Sequence, residues 1–269
     1  MIKIIALDLD GTLLNEQKNI TDKTLKALKK AENAGAKIVI NTGRNYSGAM
    51  ASIQRYNLDC DYIVSSGAEL RDKDGKTVEC IEMNKLEFND IYNIVNEYGL
   101  AVRFCSANDD YIIGNAEKIK EILRQEAELF YTKDFDTFSK TDLYKTYLEH
   151  TVPIESLEKL NELNIPIYKI FICYNDIEIL KEINEKIKRF PDVISASSFY
   201  TNIELTHIDA QKGIALEKYA KKNGCTNDEV MAFGDSMNDY SMLSMNFGYT
   251  VAMGNATSDI KEVSKYITL

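Results

Sequence analysis

Apolar residues gather along this chain in five short runs, at residues 2–9, 36–40, 62–66, 229–233 and 249–253. Within each run they follow one another rather than alternating with polar ones. That pattern predicts strands buried on both faces, as in a parallel sheet covered by helices. Between the first two runs the period becomes helical. Thr21 can cap that helix, Ile20 and Leu25 can form a hydrophobic staple, and Gly35 can stop it just beyond Asn33. A second helix is predicted over about 213–223, with Ile214, Leu216 and Tyr219 for packing and Gly224 as its stop. Strands alternating with helices give an α/β fold, a doubly wound (Rossmann-like) parallel-sheet core.

The interval between the third run and Lys212 has another rhythm. Helical patterns at 88–98, 116–126, 154–164 and 177–190 alternate with strand-like pieces at 100–105, 168–174 and 193–198. This is enough for an inserted α/β cap domain of about 110 residues, within the usual size of a domain. The expected division is 1–82 and 191–269 for the core and 83–190 for the cap, with crossings near Glu82 and Phe190.

Composition narrows the function. A net charge of −10 argues against nucleic-acid binding, which rests on basic surface. No apolar run approaches the roughly 20 residues of a membrane span. The start, Met1-Ile2-Lys3-Ile4-Ile5-Ala6-Leu7, meets Asp8 and Asp10 at once and reads as a buried strand rather than a secretory signal. Five scattered cysteines without a C-x-x-C pair suit reduced thiols, and a cytoplasmic location is expected. The two histidines, His150 and His207, offer little for a His-rich metal centre. The sequence leaves the oligomeric state, monomer or dimer, open.

Polar residues follow the runs in a telling order. Asp8 and Asp10 end the first, Asn41-Thr42-Gly43-Arg44 follows the second, and Ser65-Ser66-Gly67 the third. Gly234-Asp235-Ser236-Met237-Asn238-Asp239 follows the fourth and Gly254-Asn255 the fifth. In an open parallel sheet, ligands bind beyond the carboxyl ends of the strands, so these stretches converge. Four carboxylates at one edge repel unless a cation or proton lies among them. Their hard oxygens suit Mg²⁺ rather than zinc, and a carboxylate such as Asp8 can attack phosphorus to form an aspartyl-phosphate. Lys212, in the first turn of its helix, has the macrodipole against it and needs an anionic neighbour.

Asp8-Leu9-Asp10-Gly11-Thr12, then Thr42, then Lys212, then Gly234-Asp235-x-x-Asn238-Asp239 resembles the four-motif signature of the haloacid dehalogenase superfamily. The large insert between the second and third motifs resembles its Cof-type phosphatase branch, as does Val251-Ala252-Met253-Gly254-Asn255-Ala256. The resemblance implies an Mg²⁺-dependent phosphatase acting on small phosphomonoesters, such as sugar phosphates. Asp8 would be the nucleophile and Asp10 the general acid and base. Thr42 and Lys212 would hold phosphoryl oxygens, and Asp8, Asp235 and the Asp10 main-chain carbonyl would ligate the metal. Gly43, Arg44, Asn238 and Asp239 would contact the substrate or support these groups. Ser66-Gly67-Ala68 stands where many members carry Asn-Gly-Ala.

Two other readings use the same aspartate. A phosphomutase or phosphotransferase would return the group to a hydroxyl instead of water. A phospho-acceptor of the receiver type needs no acid-base partner such as Asp10, and is smaller than this chain. The cap would read the substrate. His207 is a further candidate contact, while the aromatic stretch Phe130-Tyr131 to Tyr147, with Phe135, Phe138, Tyr144, Lys133, Lys140 and Lys145, reads as cap core with solvated charge.

Overall fold

The computed structural model describes residues 1–130, 134–198 and 200–268. The chain divides into two compact units: Met1–Arg44, Ser52–Cys80 and Asp209–Leu269 form the first, and Asn45–Ala51 with Ile81–Ile208 the second. It begins with β1 (Ile4–Leu7), α1 (Asp22–Asn33), β2 (Lys37–Asn41), α2 (Tyr46–Ile53) and β3 (Cys60–Val64), then a meander of β4 (Glu69–Arg71) and β5 (Thr77–Cys80). Thr21 caps α1, its hydroxyl accepting the Thr24 N–H at 3.2 Å, and Leu28 is buried beneath the helix.

The second unit contains α3 (Lys85–Asn96), β6 (Arg103–Cys105), β7 (Asp110–Ile113), α4 (Ala116–Phe130), α5 (Phe135–Phe138), α6 (Asp142–Glu149) and β8 (Thr151–Ile154). It continues with α7 (Leu157–Glu162), β9 (Lys169–Cys173), α8 (Ile177–Ile187), β10 (Val193–Ala196) and β11 (Asn202–His207). These strands make a six-stranded sheet in the order β10-β11-β9-β6-β7-β8. Its strands alternate. Phe104, Ile170, Ile172, Ile203 and Leu205 pack with Phe88, Ile91 and Val95 of α3 and with Leu180, Ile183 and Ile187 of α8. The intervening residues Arg103, Lys169 and Glu204 are buried and charged, and they find partners: Lys169 Nζ lies 3.0 Å from Glu204, and Arg103 pairs with Asp110 and Glu126.

A smaller core gathers Ile112, Ile119, Leu123, Phe138 and Tyr144. The Phe135 and Tyr144 rings meet edge to face, with centroids 5.4 Å apart. These aromatics are packing residues, while Lys140 and Lys145 are exposed; Tyr131 and Lys133 lie outside the described residues. The return to the first unit differs from the expected position. Strands β10 and β11 pair with each other and with β9, so residues 191–208 belong to the second unit and the crossing falls at Ile208–Asp209 rather than near Phe190. His207 ends β11 and lines a cleft of about 600 Å³ within that unit, together with Glu82, Phe88 and Asp192.

The chain then adds α9 (Lys212–Lys222), β12 (Val230–Gly234), α10 (Tyr240–Leu243), β13 (Tyr249–Ala252), α11 (Ser258–Val263) and β14 (Tyr266–Ile267). The first unit's sheet has the order β14-β13-β12-β1-β2-β3-β4-β5. It is parallel from β14 to β3 and antiparallel at β4 and β5. Ile4, Ala6, Val39, Ile63, Val230 and Ala232 from the central strands pack with Leu216 and Tyr219 of α9 and with Met242 and Leu243 of α10. Consequently β1 is flanked by β2 and β12, and the residues following these three strands share one edge.

Candidate active site

Each site residue of the first unit occupies the first turn after a strand or the first position of a helix. Asp8 follows β1 directly and is buried; its N–H donates to Phe233 O on β12 at 3.1 Å. The chain then folds back tightly, with Leu13 N–H donating to Asp8 O at 3.1 Å and Leu14 N–H to Leu9 O at 2.8 Å. Gly11 lies in that turn with φ +77, and a Cβ there would fall 2.3 Å from Asp235 Oδ2. Glycine is therefore required both for the backbone angle and for the close approach of the Asp235 carboxylate.

Lys212, the first residue of α9, has a fully buried side chain and bridges two carboxylates. Its Nζ donates to Asp8 Oδ1 at 2.7 Å and to Asp239 Oδ1 at 2.6 Å. The other Asp239 oxygen, Oδ2, accepts the backbone N–H of Asp235 at 2.9 Å and of Ser236 at 3.2 Å. Asp239 is thus committed to holding Lys212 and the turn after β12. Thr12 Oγ1 donates to Asp235 Oδ1 at 3.1 Å, and Asn255 Nδ2 donates to Gly11 O at 3.0 Å. Asn238 accepts from Ser236 Oγ at 2.8 Å. Carboxylate oxygens of Asp8, Asp235 and Asp239 all lie within 4.8 Å of one another.

Electrostatics follow from this crowding. Burial raises the Asp8 carboxyl well above the carboxylate range; Lys212 opposes that, and the charges of Asp239 and Asp235 add to it. Asp235 is pushed up to about 6, chiefly by burial and then by Asp239. For Lys212, burial acts to lower the ammonium, but Asp239 and Asp8 overcome it and hold it above its usual value. The centre is short of positive charge, and its donors are hard oxygens beside a cradle that a Cβ at Gly11 would fill. A divalent oxygen-seeking cation fits such a donor set.

Asp10 stands in different company. Its carboxylate receives Arg44 in a two-point grip, Nε to Oδ2 and Nη2 to Oδ1, both at 2.7 Å. Lys18 Nζ adds a third contact to Oδ1 at 2.7 Å. Burial would raise this carboxyl, but the charge and hydrogen bonds of Arg44, then of Lys18, hold it well below the usual range. Arg44 Nη1 also donates to Ser52 Oγ at 2.6 Å, and its side chain is only 8% exposed. Arg44 therefore positions Asp10. Around Lys18 the sequence signals no more than a polar turn, Asn15-Glu16-Gln17-Lys18-Asn19, between Leu14 and Ile20.

Thr42 follows β2 and is buried, its N–H donating to Ile63 O at 2.9 Å and its Oγ1 accepting the Arg44 N–H at 3.3 Å. Gly43 lies between those two residues in the same loop. Asn41, also buried, donates from Nδ2 to Lys212 O at 3.1 Å and so ties β2 to the start of α9. From β3, Ser65, Ser66 and Gly67 make three consecutive left-handed residues, with φ of 51, 60 and 101. A Cβ on Gly67 would lie 2.5 Å from the Gln211 carbonyl carbon and 2.9 Å from Lys212 N. This turn lets α9 start where Lys212 reaches Asp8. Gly67→Ala is accordingly expected to cost about 2–4 kcal/mol in stability, read by denaturant unfolding, and to lower turnover by displacing Lys212. Unchanged stability would show that the turn does not set that position.

A parallel core interrupted by an α/β insert, with a buried lysine joining carboxylates at its strand ends, offers hard oxygen ligands for a cation and a cation for an anionic group at one edge. A family model described as haloacid dehalogenase-like hydrolase matches residues 5–269, and the chain belongs to that family. Phosphatase YwpJ of Bacillus subtilis is 30% identical over 285 residues, covering 100% of this chain and 95% of the relative. The 5-amino-6-(5-phospho-D-ribitylamino)uracil phosphatase YcsE of the same organism is 28% identical, covering 99% and 90%. Pyridoxal phosphate phosphatase YbhA of Escherichia coli is 26% identical, covering 96% and 90%. A solved haloacid dehalogenase-like hydrolase from B. subtilis superposes with a TM-score of 0.87 at 29% identity, covering 100% of this chain and 95% of that one. The chain is thus a hydrolase acting on phosphoric monoesters. No helix among its described residues is long and apolar enough to cross a membrane.

Proposed function

We propose that this phosphatase hydrolyses small phosphorylated metabolites through an aspartyl-phosphate on Asp8, with Mg²⁺ as its cofactor. The observation that carries the reading is Lys212, buried and bonded at once to Asp8 and Asp239, with Asp235 beside them and Asp10 two residues from Asp8. An Asp8 oxygen attacks phosphorus, the bond to the leaving oxygen breaks, and Asp10 gives that oxygen its proton. Water then attacks the aspartyl-phosphate, Asp10 takes the water's proton, and orthophosphate departs from an unchanged Asp8.

Asp10 is a carboxylate while gripped by Arg44 and Lys18, which is the form the second half needs. A negatively charged substrate beside it favours the protonated form the first half needs. Thr42 and Lys212 hold the phosphoryl oxygens, Lys212 offsetting their charge. Asp8, Asp235 and the Asp10 main-chain carbonyl would hold Mg²⁺, which neutralises phosphoryl charge as a Lewis acid. Names of relatives that specify pyridoxal phosphate or a phosphoribityl compound support a small phosphorylated metabolite as substrate. Five free cysteines suit the reducing cytoplasm.

Orthophosphate release across a panel of sugar and cofactor phosphates tests the reading. Isomerised or transferred product with little free phosphate would favour the phosphotransferase alternative. Metal binding should also depend on pH. Because Asp235 must lose its proton to ligate, and burial and Asp239 push its carboxyl up to about 6, Mg²⁺ affinity is expected to fall at least about tenfold from pH 7 to pH 5 by calorimetry. Equal affinity at both would remove Asp235 from the ligand set.

A further inference from the structure

The turn that follows β13, Met253-Gly254-Asn255-Ala256, supplies none of the groups assigned to the reaction. Its hydrogen bonds nevertheless run to both turns that carry the ligands proposed for Mg²⁺. Met253 N–H donates to Gly234 O at 3.0 Å, and Thr257 N–H donates to Asp235 O at 3.2 Å. From the side chain, Asn255 Nδ2 donates to Gly11 O at 3.0 Å and makes a longer contact to Asp235 Oδ2 at 3.4 Å.

Asn255 is exposed, but the turn that carries it is braced. Gly254 N–H donates to Thr268 Oγ1 at 2.8 Å, and Lys261 Nζ donates to Gly254 O at 2.7 Å. Ala256 N–H donates to Met253 O at 2.9 Å. Backbone on both sides therefore sets the aim of the carboxamide, which is the joint between two ligands. Gly11 O belongs to the residue after Asp10, whose main-chain carbonyl is one of them. Gly11 has φ +77 and no side chain to restrain it, so a bond to its carbonyl limits how the Asp10–Gly11 peptide can turn. Asp235 is the other. Thr12 Oγ1 donates to its Oδ1 at 3.1 Å and Asn255 approaches its Oδ2, so the carboxylate is held from both oxygens. Each carboxylate oxygen has a second lone pair to offer a cation.

We propose that Asn255 is a positioning residue for the divalent cation. Its carboxamide donor holds the Asp10–Gly11 turn and the Asp235 carboxylate in the arrangement that binds metal, without ligating it. The inference rests on the reading that Asp235 and the Asp10 carbonyl are ligands, and it gives the strand end after β13 a role in the site.

The test measures Mg²⁺ binding by calorimetry at one pH on wild type, Asn255→Ala, Asn255→Asp and Asp235→Asn. Asn255→Ala is expected to weaken binding about tenfold, at the low end for such partners because the side chain is exposed. The Mg²⁺ needed for half-maximal phosphate release should rise by the same factor. Asn255→Asp keeps the shape, adds a negative charge and puts an acceptor where Gly11 O and Asp235 Oδ2 need a donor. It is expected to bind Mg²⁺ no more tightly than Asn255→Ala, whereas a residue acting through charge or direct ligation would make it tighter than wild type. Thermal unfolding supplies a readout without turnover. Mg²⁺ should raise the midpoint less in Asn255→Ala than in wild type, while the metal-free midpoints lie close together. Equal affinity in wild type and Asn255→Ala, a difference confined to the metal-free midpoints, or tighter binding by Asn255→Asp than by wild type overturns the assignment. Absence of Mg²⁺ binding by wild type, or undiminished binding by Asp235→Asn, overturns the ligand set itself and this inference with it.

Discussion

Asp8→Asn is expected to reduce phosphate release by more than about 1,000-fold while the protein stays folded. The carboxamide has nearly the shape of the carboxylate but is a far weaker nucleophile toward phosphorus. Removing the charge also relieves part of the repulsion among Asp8, Asp235 and Asp239, which burial intensifies. Stability of the metal-free variant is therefore expected to equal or exceed that of the wild type at pH 7, measured by denaturant unfolding. Retention of more than a few per cent of activity would remove Asp8 from the nucleophile's role.

Lys212→Met acts on both stability and rate. With the ammonium gone, Asp8 and Asp239 are left buried without their shared cation. Breaking such a buried ion cluster costs about 3–5 kcal/mol, and losing the cation that faces the phosphoryl group costs about 100- to 1,000-fold in turnover. The pH dependence has a definite sign. The Asp8 carboxyl already lies above its ordinary range in the folded protein, and loss of Lys212 removes the influence that opposes this. Its charged form thus disfavours folding, and the penalty is relieved as protons bind. The destabilisation relative to wild type should be larger at pH 7.5 than at pH 5.5, as thermal unfolding at the two values would show. A pH-independent loss would mean that Lys212 acts by packing rather than by charge.

Much of this centre is legible in the chain because parallel sheets collect their strand ends at one edge. Five apolar runs locate β1, β2, β3, β12 and β13, and Asp8, Thr42, Asp235 and Asp239 each follow one of these strands. Lys212 was legible from a conflict, a cation at a helix start, which the two carboxylates resolve. The return from the insert was less clear because no proline or glycine cluster marks it. Yet Asn202-Ile203-Glu204-Leu205-Thr206 alternates polar with apolar, and that period of two was the available signal for β11.

Other features have no local signature. Lys18 meets Asp10 from a loop tied to Arg55 and Tyr56, far along the chain. The left-handed turn at Ser65 and Ser66 uses residues with little intrinsic preference for it. What holds it is tertiary: the Ser65 N–H donates to Arg44 O at 2.7 Å and the Ser66 N–H to Thr42 O at 3.1 Å.

The central claim, that Asp8 carries the phosphoryl group, is tested most directly by trapping it there. Asp10→Asn enzyme is mixed with p-nitrophenyl phosphate, whose leaving group departs without a proton, so that the step needing a base is the one impaired. Acid quenching and borohydride reduction convert an aspartyl-phosphate to homoserine, located by mass spectrometry of the peptide. The mechanism predicts homoserine at position 8, and none when Asp8 is also replaced by Asn. Release of p-nitrophenol with unmodified Asp8, or homoserine at another aspartate, would contradict it.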